Sequence, residues 1–315
     1  MKNRAHHFNL SSIILCWFFA IVATAQPPDR PADFSVEQAI SRADIHRYVL
    51  ADTAVINLYQ GNGRFGGCYG SLGLHLDPAE TAWHAYGPTR FMHIQHYARA
   101  KFGVDYLLPM FRIYWQTRPA QVNDYHQHQS FFDGTITTRW ASGDSRITVT
   151  TWFDPVDRDM AGLKIHVQGP APNIIIAPLQ TLWLHYRQEV MQTSVIRREQ
   201  DHWRIDLACL NAATTVFVKT DMRVHLSRTQ LTCALREGDN TILLSVHKKP
   251  AASCQHSLSR TLAWWHAKWS STGCLALPDP AAQKEWVRTM AYILYSHNDD
   301  RMGSAPPMGF TGIAW

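Results

Sequence analysis

The sequence predicts a mainly β protein, a large antiparallel β-sandwich followed by two helices. Three observations carry this. Between Ile147 and Val246 apolar residues alternate in short runs, first Ile147, Val149, Thr151 and Phe153, then Leu163, Ile165 and Val167, later Trp203, Ile205 and Leu207, then Ile242, Leu244 and Val246. Successive side chains of a strand point to opposite faces, so such runs mark half-buried strands. Breakers such as Asp154-Pro155 and Gly169-Pro170-Ala171-Pro172-Asn173 separate many of the runs, at the spacing of a sandwich or barrel. After Leu258 the period becomes helical: Leu262, Trp265 and Trp269, then Ala282, Trp286, Met290, Ile293 and Leu294, recur every three or four residues.

The first 25 residues lie outside this fold. Lys2 and Arg4 form a basic start, Ile13 to Ala23 an apolar run too short for a comfortable membrane span, and Ala23-Thr24-Ala25 a cleavage site of small residues. They predict a signal peptide, a mature chain beginning at Gln26, a periplasmic or extracellular location, and no membrane anchor after cleavage. Residues 26–54 form a lead-in, Pro-rich at first, with weak helical spacing through Val36, Ile40 and Ile45.

The β domain is expected over 55–250. Val55 to Tyr59 reads as its first strand, and Leu72, Leu74 and Leu76 alternate as a later one. Between them, Gly61-Asn62-Gly63-Arg64-Phe65-Gly66 has the G-x-G-x-x-G spacing of a dinucleotide site. That chemistry needs the glycines to open a helix, whose amide ends hold the pyrophosphate. A strand follows instead, so the segment is read as a turn. His93 to Phe102 reads as a short helix or an irregular loop, whereas Phe111, Ile113 and Trp115 alternate as a strand.

His126 and His128 fall on one face of a strand. Two imidazoles at that spacing can ligate a metal, but a site needs a third ligand and an outer shell that no neighbouring motif supplies. The pair is therefore read as structural, with no metal and no cofactor expected.

Composition narrows the function classes. The chain has 30 Lys and Arg against 25 Asp and Glu; loss of Lys2 and Arg4 leaves 28, a net charge of about +3. No basic run is interleaved with aromatics, so nucleic acid is excluded as a partner. Five cysteines remain after processing (Cys68, Cys209, Cys233, Cys254 and Cys274), none in C-x-x-C spacing, which disfavours structural zinc and thioredoxin-like chemistry and suits small buried residues. The 12 tryptophans suit large cores or sugar-stacking surfaces. Nothing fixes an oligomeric state.

A linker with a helix is expected over 251–277. Asp279 is a good N-cap, Pro280 fits the first helical position, and the following helix should run to about His297. The tryptophan-rich linker, the Leu277-Pro278-Asp279 start, the long helix and the loop closing on Gly312-Ile313-Ala314-Trp315 resemble the six-hairpin (α/α)6-barrel glycosidases, in particular glycoside hydrolase families 65 and 95. Gly61-Asn62-Gly63-Arg64 with Gly66 is similar to a glycine-rich motif near the start of the β domain in the same enzymes.

The resemblance implies a sandwich of the galactose-mutarotase-like supersandwich type, with residues 278–315 opening a truncated (α/α)6 catalytic barrel. It implies a carbohydrate substrate and inverting hydrolysis of α-linked glycosides or oligosaccharides. Inversion uses one carboxylic acid on the leaving oxygen and a second carboxylate to activate water. In these families both lie deeper in the barrel than Trp315, so no catalytic residue is expected here, and Asp299-Asp300 reads as a solvated turn. Phe310 and Trp315 are the candidate sugar contacts, because aromatic faces suit the C–H faces of a pyranose. Asn62 and Arg64 are candidates on a β-domain loop near the cleft. The competing reading is a noncatalytic carbohydrate-binding or structural sandwich module.

Overall fold

The computed structural model describes residues 35–50, 58–76, 90–99, 105–184, 188–272 and 277–296. The signal peptide, Asp299-Asp300, Phe310 and Trp315 lie outside them. The described chain opens with a short helix, α1 (Val36–Ser41), and a three-residue strand, β1 (Ile45–Arg47). The helical spacing of the lead-in thus holds for its first half only. Strands β2 (Leu58–Gly61), β3 (Phe65–Tyr69), β4 (Phe91–Arg99) and β5 (Asp105–Pro109) form one antiparallel sheet in that order. The glycine segment is the β2–β3 turn.

Two sequence expectations need correcting here. His93 to Arg99 is strand rather than helix or loop: β4 pairs with β3 and, across a register shift between Met92 and Tyr97, with β5. That irregularity blurs the period-two signal. Leu72, Leu74 and Leu76 do not form a strand; Gly70 to Leu76 is a turn closed by Gly70 N–H donating to the Leu74 carbonyl at 2.8 Å, with one bridge from His75 to Tyr114.

The remaining strands are β6 (Phe111–Trp115), β7 (Asn123–Ser130), β8 (Thr135–Ser142), β9 (Ser145–Phe153), β10 (Met160–Gln168), β11 (Ile174–Pro178), β12 (Thr181–Leu184), β13 (Gln188–Met191), β14 (Thr193–Glu199), β15 (His202–Cys209), β16 (Ala212–Thr220), β17 (Arg223–Ser227), β18 (Gln230–Ala234) and β19 (Gly238–Val246). The largest sheet has nine strands in the order β1-β7-β8-β9-β10-β19-β16-β15-β14. A second sheet runs β17-β18-β11-β6, and β12 pairs with β13 as a ribbon. Among the described residues every pairing between these strands is antiparallel.

The alternation seen in the sequence is the inner face of this sandwich. Ile147, Val149, Leu163, Ile165, Val216, Val218, Ile242 and Leu244 from the large sheet share one core with Phe65, Phe91, Phe111, Ile113, Ile174, Ile176 and Leu231 from the others. Burial of such side chains, at about 25 cal/mol per Å², supplies the main driving force. Cys68, Cys209 and Cys233 are buried, as small apolar residues would be.

Two helices follow, α2 (Cys254–Ser271) and α3 (Pro280–Ser296). Ser253 caps the first, accepting from the His256 amide, and Asp279 caps the second, accepting from the Ala281 amide at 2.9 Å. On α2 the buried stripe is Ser257, Thr261, Trp265 and Trp269. On α3 it is Gln283, Val287, Ala291 and Tyr295, one position round from the stripe expected from the sequence. Trp286, Met290 and Leu294 flank that stripe half-buried, and Ile293 is exposed. Among the described residues no helix is long and apolar enough to cross a membrane.

The helices close a second core. Trp265, Trp269, Val287, Ala291 and Tyr295 pack with Ile40 of α1 and with Tyr59, Cys68 and Phe131 of the sandwich. Trp269 donates its indole N–H to the Phe131 carbonyl at 2.7 Å. Trp265 lies over Gly134, where φ is +64° and an added Cβ would meet the indole nitrogen at 1.9 Å. Glycine is required there on both counts.

Trp269→Ala should destabilise the fold by about 3–5 kcal/mol, because it opens a cavity and strands a buried carbonyl. Urea denaturation of the two proteins measures this. Acid should act through His96. Burial pushes its imidazole down to about 4, although its Nε2 meets Gln192 Oε1 at 2.7 Å. A folded value below the unfolded one means this contribution is present above about pH 6.5 and is lost as pH falls toward 4, amounting to about 3 kcal/mol. His96→Gln should flatten the fall in unfolding free energy over that window.

Candidate functional site

The candidate site is built on the β2–β3 turn. Asn62 folds the turn on itself: its Oδ1 accepts from the Phe65 amide at 2.9 Å and the Arg64 amide at 3.2 Å, while its own N–H donates to the Phe65 carbonyl at 3.0 Å. Side chains that bond to nearby backbone in this way favour turns. The Asn62 Nδ2 donates outward to the Asp154 carbonyl at 2.7 Å. Both ends of the amide are therefore committed to the protein, and the residue is buried.

Glycines flank it because the end of α3 comes close. Gly63 donates its N–H to the Tyr295 carbonyl at 2.8 Å, and a Cβ on Gly61 would sit 2.8 Å from that same oxygen. The turn thereby satisfies a carbonyl that the last helical turn leaves open.

Arg64 leaves the turn toward Asp159, with Nη2 to Oδ1 at 3.0 Å. The same oxygen accepts from His93 Nε2 at 2.9 Å. His93 Nδ1 accepts from the Gln95 amide at 3.1 Å, which fixes the neutral tautomer with its proton on Nε2. Burial lowers the His93 imidazole despite that bond. Burial of Asp159 opposes ionisation, but the hydrogen bond from His93 and the charges of Arg64 and Lys248 outweigh it, so its carboxyl is held below the ordinary range. Arg64 is a partly exposed guanidinium held by Asp159, and a guanidinium is a hydrogen-bond donor to hydroxyl or anionic groups.

Proton chemistry on a glycoside needs one carboxyl group shifted upward. Among the described residues, Asp159, Glu199, Asp201, Asp206 and Asp239 are all shifted down by hydrogen bonds and basic neighbours.

Behind the turn stands Asp154. Its Oδ1 accepts from the amides of Val156 at 3.0 Å and Asp157 at 2.9 Å. Its Oδ2 accepts from Ser257 Oγ at 2.9 Å and Arg260 Nε at 3.0 Å, with Arg260 Nη2 as a third donor. The carboxylate is fully buried.

A second polar set lies at the β1 edge of the large sheet. β1 pairs with β7 so that His46 faces His128 directly, and His126 is two residues along. His46 Nδ1 lies 3.2 Å from His126 Nε2, and His128 Nε2 donates to Asp44 Oδ2 at 2.8 Å. Asp44 Oδ1 accepts from the Phe131 amide at 2.9 Å. Burial and the neighbouring imidazoles lower His46 and His126. Sequence reasoning found His126 and His128 but not Asp44 and His46, which stand about eighty residues away and are joined to them only by strand pairing. An open groove of about 310 Å³ borders β14 to β16, lined by Thr193, Asp206, Thr214, Thr215 and His247 among others. Asp206 is bound there by Arg197, Arg204 and Thr215.

Asp154→Ala should cost about 3–5 kcal/mol, because it leaves the Arg260 charge and two backbone amides without their acceptor. Asp154→Asn, which keeps an acceptor oxygen, should cost less. Guanidinium denaturation followed by far-UV dichroism would rank the two, and equal stability of Asp154→Ala and the parent would refute the anchor.

No protein-family model matches the chain, and no curated protein matches its sequence. In fold it is similar to a protein assigned as a kojibiose phosphorylase, from the human microbiome, at 11% identity and a TM-score of 0.44, over 81% of this chain and 37% of that one. It is also similar to the family GH92 alpha-mannosidase from Bacteroides thetaiotaomicron, at 9% identity and a TM-score of 0.37, over 87% of this chain and 43% of that one. The chain thus spans about two fifths of the length of these solved structures.

Proposed function

We propose that this chain is the sandwich-and-linker part of a secreted glycoside hydrolase that acts on α-linked glycosides or oligosaccharides with inversion. Its catalytic carboxylates would be carried by helical elements beyond those described. The observation that carries this reading is the seating of α2 and α3. A self-contained sugar-binding sandwich covers its core with its own sheets, whereas here Trp265, Trp269 and Tyr295 complete a second core with Tyr59, Cys68 and Phe131. The sandwich is shaped to carry helices.

Asp159, Glu199, Asp201, Asp206 and Asp239, all shifted down, do not match the raised carboxyl that protonates a leaving oxygen. Hydrolysis fits the signal-like first 25 residues better than phosphorolysis, since a sugar phosphate formed outside the cytoplasm loses its metabolic value. Phe310 and Trp315 would stack on the sugar, and Arg64, held by Asp159, would donate to its hydroxyls.

Calorimetric titration of the purified chain with α-linked oligosaccharides tests the reading. Weak saturable binding, lost in Trp315→Ala and reduced in Arg64→Ala, is expected, with no sugar released. Hydrolysis by a monomeric preparation of these 315 residues would place the carboxylates among residues assigned here to the sandwich. Binding indifferent to both substitutions would favour the noncatalytic carbohydrate-binding module, and no binding at tens of millimolar sugar would sink both.

A further inference from the structure

The β1 edge of the large sheet holds a group of side chains that the proposed function does not use. Asp44, His46 and His128 each offer a ligand atom, and these atoms all lie within 4.8 Å of one another. His126 adds a fourth, 3.2 Å from His46. Two nitrogens bound to one tetrahedral zinc at its usual bond length stand about 3.3 Å apart. The His46 to His126 separation already has that value.

Three further features suit ligation. Two imidazoles and a carboxylate form a donor set of the kind that borderline divalent ions take, zinc foremost when the geometry is tetrahedral. The carboxylate is oriented from behind: Asp44 Oδ1 is fixed by the Phe131 amide, which leaves Oδ2 facing the histidines. Such outer bonds are what hold a ligand in place before the metal arrives. The chain upstream is anchored too. Ile40 and Ala43 are buried, and Arg288 of α3 donates to the Ala43 carbonyl at 3.0 Å. His46 itself is exposed, so an ion has a route in.

We propose that Asp44, His46 and His128, with His126 as the fourth donor, bind one divalent transition metal, zinc being the best match, and that the ion clips the segment around β1 to the edge of the large sheet. On binding, the metal takes the place of the proton between His128 Nε2 and Asp44 Oδ2, and the neutral ring carries its one proton on Nδ1 instead. The rings of His46, His126 and His128 stack nearly parallel, so side-chain rotations that turn their nitrogens to a common point and draw His126 in to the other three complete the site. β1 has only three residues, so an ion spanning it and β7 would fix what its few ladder hydrogen bonds hold weakly. This inference is independent of the glycosidase reading.

The test is titration of the metal-free chain with Co²⁺ and Zn²⁺. The expected result is one equivalent bound, the visible absorption of tetrahedral cobalt, and a rise in melting temperature with excess zinc. His46→Ala and His128→Ala should weaken binding by roughly a hundredfold or more and His126→Ala by roughly tenfold, whereas His225→Ala, on an exposed strand elsewhere, should leave it unchanged. Equal binding by the parent and His46→Ala, with matching circular dichroism, would overturn the proposal. X-ray absorption at the zinc edge decides it on the unaltered chain, even where a variant misfolds: at least two imidazoles support the site, and oxygen ligands alone refute it.

Discussion

A single buried carboxylate holds the two halves of this protein in register. Asp154 directly follows β9, and its side chain accepts from its own turn, from Ser257 and from Arg260, while its main chain meets Asn62 and Met160. An unpaired ion there would be very costly, and a paired one repays its desolvation only with good geometry and its remaining lone pairs satisfied. Here each oxygen has at least two donors. The arrangement is therefore exacting about where α2 can begin: Ser257 and Arg260 lie one turn apart on one helix face, and only one placement of that helix presents both to the carboxylate.

That placement decides what the tryptophans touch. With Ser257 fixed, Thr261, Trp265 and Trp269 follow at four-residue steps along the buried stripe. Trp152 in β9 donates to Ser257 from the sheet side at 3.1 Å, so the same serine serves both layers. Further along, Trp265 lies over Gly134, and the Gly134 carbonyl accepts from Gln60 Nε2 at 2.7 Å. Gln60 precedes the glycine turn that meets the end of α3. The polar ties and the aromatic wedge thus form one connected set, and none of its members can shift alone.

Much of this was legible in the sequence at the level of elements. Period-two runs marked β9, β10, β15 and β19, and the Asp279-Pro280 pair set the start of α3. What escaped were features whose signal lies in partners distant along the chain. Asp154-Pro155 reads locally as a breaker, which it is, but its role as an anchor depends on a helix a hundred residues later. β4 escaped because a register shift interrupts its alternation, and β1 because three residues carry no period. The α3 stripe was misplaced by one position because large apolar residues drew the eye, whereas tight packing against the sandwich selected Ala291 and Val287. Asn62 and Arg64 were singled out on a turn, and a turn they form. That Asn62 spends its amide on the backbone follows only from the hairpin's geometry.

The same connectedness bears on what a helical domain could do on this platform. α3 is held at three heights: at its start by Asp279 and by Gln283, whose Oε1 accepts from the Leu277 amide at 2.8 Å, in its middle by Arg288 reaching the Ala43 carbonyl, and at its end by Gly63 on the Tyr295 carbonyl. A helix pinned only by an apolar stripe can slide or rotate at small cost, since dispersion contacts are many, weak and undirected. Hydrogen bonds at both ends and the centre remove that freedom. For the chemistry proposed above, in which a displacement of about 1 Å can cost a hundredfold in rate, a helix fixed along its length would give any helices packed on it a defined origin. Arg64, which leaves the turn that closes α3, takes its position from the same origin, so a guanidinium on the sandwich and groups on a helical domain would be located relative to one another through a few short, directed bonds.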